Sequence, residues 1–159
     1  MREMVRMTGS KANGFTIIEL IVTVIIISVL CMMAIPLARN TIQREREVEL
    51  RQALRDMRTA IDTFKAAADA GQIMVDAMNN GYPPDLQTLS DGVPLQTAVG
   101  KQIRFLRSVP WDPMTNSTDW GLRSDQDDPA SSSWGGQDVF DVYTKSNGTA
   151  MDGSKYKDW

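Results

Sequence analysis

Residues 14 to 37, GFTIIELIVTVIIISVLCMMAIPL, form an apolar run that carries one acid, Glu19, and one proline, Pro36. At about 1.5 Å per residue, a helix over Phe15 to Leu37 rises ~35 Å, enough to cross the hydrocarbon core of a bilayer. The run is rich in β-branched residues, which in water favour strands. In lipid the backbone must satisfy its own hydrogen bonds, and a lone segment does so only as a helix. Residues 15–37 therefore read as a transmembrane helix. Pro36 removes an amide donor and is expected to kink or loosen that helix locally. Cys31, the only cysteine, lies inside the run and reads as a small apolar side chain.

Ahead of the run, residues 1–14 carry Arg2, Arg6 and Lys11 against Glu3. By the positive-inside rule this flank stays cytoplasmic, which leaves the C-terminal part outside. A secretory signal is cut after its apolar region, beside small residues. Here the candidate cut, between Gly14 and Phe15, precedes the apolar region, and the run would then be retained as an anchor. Glu19 needs a reason, because a carboxylate at full membrane depth costs about 2.5 kcal/mol or more. One reading places it at the headgroup level, where the helix dipole favours an acid. The other pairs it with a positive group, the new amino terminus that a cut before Phe15 creates.

From Arg39 to Asp69 the chain turns highly charged, with seven basic and six acidic residues, while the helical period continues. Leu50, Leu54, Met57, Ile61, Phe64 and Ala68 recur at spacings of four and three, flanked by Ala53, Ala60 and Ala67. That is one amphipathic face. Glu47 and Arg51 have the favourable i, i+4 polarity of a solvated outer pair. Packing against the chain's own C-terminal part is the expected use of this face, because the stripe lasts fewer heptads than a coiled coil calls for; a coiled-coil dimer is the alternative. Joined, residues 15–70 make one helix of roughly 80 Å, and Gly71 is a reasonable stop.

The remainder, 71–159, reads as loops with a few short strands. Gly81-Tyr82-Pro83-Pro84-Asp85 signals a turn, with Asp85 placed to cap a short helix through Leu86 and Leu89. Val109 to Pro113 is a second rigid turn. Trp120 to Arg123 and Val139 to Thr144 have strand character, and Tyr156 to Trp159 suggests a last short strand. The polar, Ser/Gly-rich stretch from Asp125 to Gln137 reads as an exposed loop.

The basic leader ending in Gly14, then Phe15, Glu19 and the apolar run containing Pro36 resemble the type IV filament superfamily, the type IV pilins and the pseudopilins of type II secretion. The resemblance implies that a prepilin peptidase cuts after Gly14 and methylates Phe15. It further implies that Glu19 neutralises a neighbouring subunit's terminal amine, and that Pro36 marks where the helix yields during assembly. The Tyr-Pro stretch at 82–84, the Pro-x-Asp-Pro element at 110–113, the strand 139–143 and the ending 152–159 look most like the major pseudopilin of type II secretion. The loop 125–137 departs from that pattern. Many type IVa pilins close a C-terminal loop with a disulfide, and with Cys31 alone none forms here.

With that resemblance comes the expectation of an α+β, pilin-like fold: a long N-terminal transmembrane and amphipathic helix packed on a small C-terminal domain with a short antiparallel β-sheet and long loops. The expected divisions are a cleaved leader (1–14), a transmembrane assembly helix (15–37), its amphipathic continuation (38–70) and a small periplasmic domain (71–159). The expected function is a structural subunit of a short filament anchored in the bacterial inner membrane and driving protein export. Its partners would be further copies of itself, the prepilin peptidase, minor pseudopilins and an inner-membrane assembly platform. A type IV pilin for adhesion or motility is the alternative within the superfamily, and a single-pass membrane receptor or scaffold is the alternative outside it. The resemblance also implies calcium in the C-terminal loops, with Ser146, Asn147, Asp152 and Asp158 as oxygen donors and backbone carbonyls or water completing a shell of six to eight. The competing reading makes Asn147-Gly148 and Asp152-Gly153 plain turns. Asp125, Asp127 and Asp128 are a rival cluster.

Catalysis has little to stand on. The chain has no histidine, which removes the usual general base and the commonest zinc ligand, and it has no phosphate-binding glycine loop. From residue 71 onward twelve acids face seven bases, the reverse of what a nucleic-acid surface needs.

Overall fold

The computed structural model describes residues 14–159 apart from 77, 78, 99, 129, 130 and 132, and not the side chains of 33–39. Residues 1–13, and with them Arg2, Glu3, Arg6 and Lys11, lie outside the described residues, as does the Pro36 side chain. The chain divides into two compact units, up to Thr41 and Ile42–Trp159. Helix α1, Ile17–Asp69, supplies a stretch of each.

Both ends of α1 follow from local chemistry. Thr16 precedes the first turn, and its hydroxyl accepts the Glu19 amide at 3.3 Å while its carbonyl accepts the Leu20 amide at 3.1 Å. At the other end Gly71 adopts a φ of 66°. Its N–H donates to the Ala68 carbonyl and that of Gln72 to the Ala67 carbonyl, both at 2.9 Å. These paired bonds close the helix with a left-handed glycine, as the sequence leads one to expect.

In the Ile42–Trp159 unit the amphipathic stripe is the core. Leu50, Leu54, Met57, Ile61 and Phe64 are buried, together with Ala53, Ala60 and Ala67. They pack with Ile73, Leu86, Leu89, Trp120, Val139, Val142 and Tyr156 from the rest of the unit. Helix α2, Leu86–Asp91, is capped by Asp85, whose carboxylate accepts the Thr88 amide at 2.7 Å. Strands β1 (Val93–Pro94) and β2 (Gln102–Ile103) form one antiparallel pair. Strands β3 (Gly121–Arg123) and β4 (Asp141–Tyr143) form another, with Leu122 opposite Val142. The fold is α+β and consistent with a pilin-like architecture.

The rigid turn at 109–113 is built on Asp112, which is fully buried. Its carboxylate accepts the Met114 amide at 2.8 Å and the hydroxyls of Thr115 and Thr144 at 2.9 and 2.6 Å. A buried carboxylate is retained only when such donors surround it.

Two local expectations need correction. Tyr156 to Trp159 is not a strand: Tyr156–Asp158 is a 3₁₀ turn. In a strand, residues three apart point to opposite faces; in the turn the Tyr156 and Trp159 rings meet edge to face, with centroids 5.2 Å apart. Glu47 and Arg51 are not a solvated outer pair either. Glu47 is only 9% exposed and accepts hydrogen bonds from Tyr156 Oη, the Met151 amide and Gln43. Arg51 instead reaches Asp152 at 3.5 Å and stacks 4.1 Å from the Trp159 ring centroid.

Candidate processing and assembly site

The N-terminal candidates sit on and just before the first turn of α1. Gly14 and Phe15 precede the helix, and Phe15 is 79% exposed. No described atom lies within 4 Å of where a Gly14 Cβ would stand. Glu19 falls in the first turn, three residues after Thr16. Thr-x-x-Glu ahead of an apolar run has the spacing of a capping box, and an acid there is favoured by the helix dipole. Thr16 is a site residue that the motif reading passes over, although the capping spacing is legible in the sequence.

Beyond the first turn, large apolar side chains project in every direction. Ile17, Ile18, Leu20, Ile21, Val22, Val24 and Ile25 are all about half exposed or more, and the pattern continues through Met32. The hydroxyls are turned inward: Thr23 donates to the Leu20 carbonyl at 2.9 Å and Ser28 to the Val24 carbonyl at 2.7 Å. A helix that is greasy all round and self-satisfied in its polar groups has to be covered by lipid or by other helices. Among the described residues no helix is long and apolar enough to cross a membrane. Described side chains of the apolar run stop at Met32, so the expected 15–37 span lies partly outside them.

Of the calcium donors that the resemblance implies, Asp152 and Ser146 hold local turns and Asp158 is exposed. Asp152 accepts the Ser154 hydroxyl at 2.6 Å and the Ser154 amide at 2.9 Å, and these bonds, with the Arg51 charge, hold its carboxyl below the usual carboxylate range. Ser146 Oγ accepts the Gly148 amide at 3.3 Å. Asp158 ends the 3₁₀ turn with an exposed side chain. An arginine lies beside the Asp152 carboxylate, and Asp158 is a second carboxylate, exposed. In the rival loop, Asp127 accepts the Ser124 and Gly135 amides and Asp125 accepts Asn80, so both carboxylates fold the loop. Asp138, fully buried beneath them, accepts the Asp125 amide at 3.2 Å; burial pushes its carboxyl up. Among the described residues no group of three or more acidic, cysteine or histidine side chains is arranged to hold a metal.

Residues 9–35 match the family model for the prokaryotic N-terminal methylation motif. No curated protein and no solved structure matches the chain.

The methylation motif covers Gly14, Phe15, Thr16 and Glu19 together and ends within the apolar run. It supports the type IV filament superfamily and indicates a pilin-like structural subunit. Processing by a prepilin peptidase, filament assembly and a membrane-anchored N-terminus are what such a motif implies. The match stops at Ile35, so the globular unit rests on its own residues.

Proposed function

We propose that this chain is the major pseudopilin of a type II secretion filament, anchored in the bacterial inner membrane with its N-terminus cytoplasmic and its Ile42–Trp159 unit in the periplasm. One observation carries the reading: the methylation motif spans Gly14 and an exposed Phe15 just ahead of a helix that is apolar on every side. Cutting there creates a terminal amine next to the first turn of α1. Glu19 then meets the amine of a neighbouring copy, an attraction strengthened by low dielectric. Pro36 gives the helix a place to yield as copies pack. The preference for secretion over a pilus rests on the resemblance of the 82–84, 110–113 and 139–143 elements. The prepilin peptidase, minor pseudopilins and an inner-membrane assembly platform are the partners this reading requires. Calcium rests on the resemblance alone.

The test is the intact mass of the protein extracted from its native membrane. A chain beginning at Phe15 and heavier by one methyl group supports the processed filament subunit. A full-length mass overturns it and favours a single-pass receptor or scaffold.

A further inference from the structure

The Ile42–Trp159 unit gathers bases at the end where α1 enters it. There the tail of the chain lies on the helix: Gln43 donates to the Thr149 carbonyl at 3.4 Å and to the Tyr156 hydroxyl at 3.0 Å, and Glu47 takes the Met151 amide at 2.9 Å. At about 3.6 residues per turn, Arg44 and Arg46 flank this Gln43–Glu47 face on its two sides, and Glu45 falls on the opposite side of the helix. The tail adds Lys155 and Lys157, one on each side of buried Tyr156. All four bases are exposed, and none is in a salt bridge among the described residues.

The acids at this end are mostly committed. Glu47 is buried under its donors and Asp152 lies 3.5 Å from Arg51, which leaves exposed Asp158 as the acid of the tail outside both arrangements. The unit as a whole carries thirteen bases against eighteen acids, so a positive end runs against its overall charge. Two large apolar side chains are left in water beside these bases, Ile42 at 52% exposure and Met151 at 46%. Unpaired bases interleaved with exposed apolar side chains are the composition of a surface that rests on a bilayer.

Chain length brings such a surface within reach. Six positions separate Leu37, the end of the apolar run, from Gln43. Whatever path the chain takes between them, they span at most about 20 Å at full extension. A tether that short turns docking into an intramolecular event at high effective concentration. We propose that this end of the unit docks on the anionic phospholipid headgroups of the bilayer that holds the apolar run. Arg44, Arg46, Lys155 and Lys157 donate charge-assisted hydrogen bonds to phosphate oxygens, and Ile42 and Met151 enter the interfacial layer. The contact holds the unit down on the membrane and has to be broken when the subunit is drawn out. It rests on the membrane-anchored reading of the apolar run, and adds to it a second, reversible attachment made by the globular unit.

The experiment uses the full chain extracted from its membrane and reconstituted one copy per lipid nanodisc, which removes contacts between copies. Cys31→Ser with Met151→Cys carries a fluorophore on the tail, and acrylamide quenching reads its exposure. The probe should be shielded in discs of phosphatidylcholine mixed with phosphatidylglycerol and exposed in phosphatidylcholine alone. Salt that shortens the Debye length from about 8 Å to about 3 Å should expose it again without any substitution. Arg44→Gln, Arg46→Gln, Lys155→Gln and Lys157→Gln should each lower the ratio of docked to free tail, by roughly fivefold per base. Arg104→Gln with Arg107→Gln should leave it unchanged, because their segment lies farther along α1, beside Asp56 to Thr63. Equal quenching in the two lipids, no response to salt, or release by the Arg104 and Arg107 pair as large as by the four tail-end bases overturns the docking. Labelling of the natural Cys31 in the parent chain by a water-soluble maleimide separates the two readings. A shielded Cys31 with an exposed tail probe sinks the docking and leaves the anchor standing, and a reactive Cys31 sinks the anchor itself.

Discussion

The Tyr156 hydroxyl donates to the Glu47 carboxylate at 2.9 Å, across 109 positions of sequence. The same carboxylate takes the Met151 amide at 2.9 Å and Gln43 at 3.1 Å. It is one of the points at which the last turn of the fold is tied to α1, beside Arg51 against Trp159.

Removing either partner should therefore loosen the tail. Tyr156→Phe is expected to cost about 1 to 3 kcal/mol, the range for losing one partner of a buried bond. Glu47→Ala should cost more, since it strands three donors at once. Urea unfolding of the detergent-extracted chain measures both, and equal stability to the parent would show the tie to be idle.

Gly14→Ala should separate processing from folding. Since no described atom lies within 4 Å of the added Cβ, the melting temperature should not move. Cleavage should fall all the same, because the peptidase and not the fold needs glycine there. Immunoblotting for the uncut form reads the first effect, and a shifted melting temperature would mean the residue is structural.

Glu19→Ala should leave membrane insertion and cleavage intact while stopping assembly. Filaments at parental yield would remove the assembly role and leave Glu19 as a first-turn acid.

Acid should act on the fold through two carboxyls of opposite sign. Asp152 has a depressed folded-state value, held down by Ser154 and then Arg51, so its stabilisation is present above the usual carboxylate range and fades as pH falls through the folded value. Asp138 is pushed up by burial, so its favourable contribution is complete below the usual range and is lost as pH rises through the folded value. Asp138→Asn should flatten the stability curve just above the usual range, and Asp152→Asn should flatten it below. Melting temperatures across mildly to strongly acidic pH resolve the two windows; identical curves for both variants and parent would refute the assignment.

If calcium is held as the resemblance implies, chelation should lower the melting temperature of the full chain in detergent, and added calcium should restore it. No change on chelation would remove the metal.

How much is legible in the sequence varies along the chain for physical reasons. The core stripe from Leu50 to Ala67, the Gly71 stop and the Asp85 cap are readable because period and cap chemistry are local. Leu122 and Val142 can be assigned to strands from their own neighbours, but their pairing depends on folding and not on spacing. The β1–β2 pair escapes sequence reading: each strand has two residues, one of them Pro94, and offers no alternation to detect. Glu47 misleads because an i, i+4 partner is visible in sequence, whereas Tyr156 arrives from the far end of the chain. Gly14, Phe15 and Glu19 are recognisable from a compact motif, but the Thr16 cap is lost among apolar neighbours.

The core of the globular unit has one wall made entirely by α1, which also carries the apolar run. Leu50, Leu54, Met57, Ile61 and Phe64 all sit on one continuous stretch of that helix, so unravelling it within the Ile42–Trp159 unit would empty the core of all five at once.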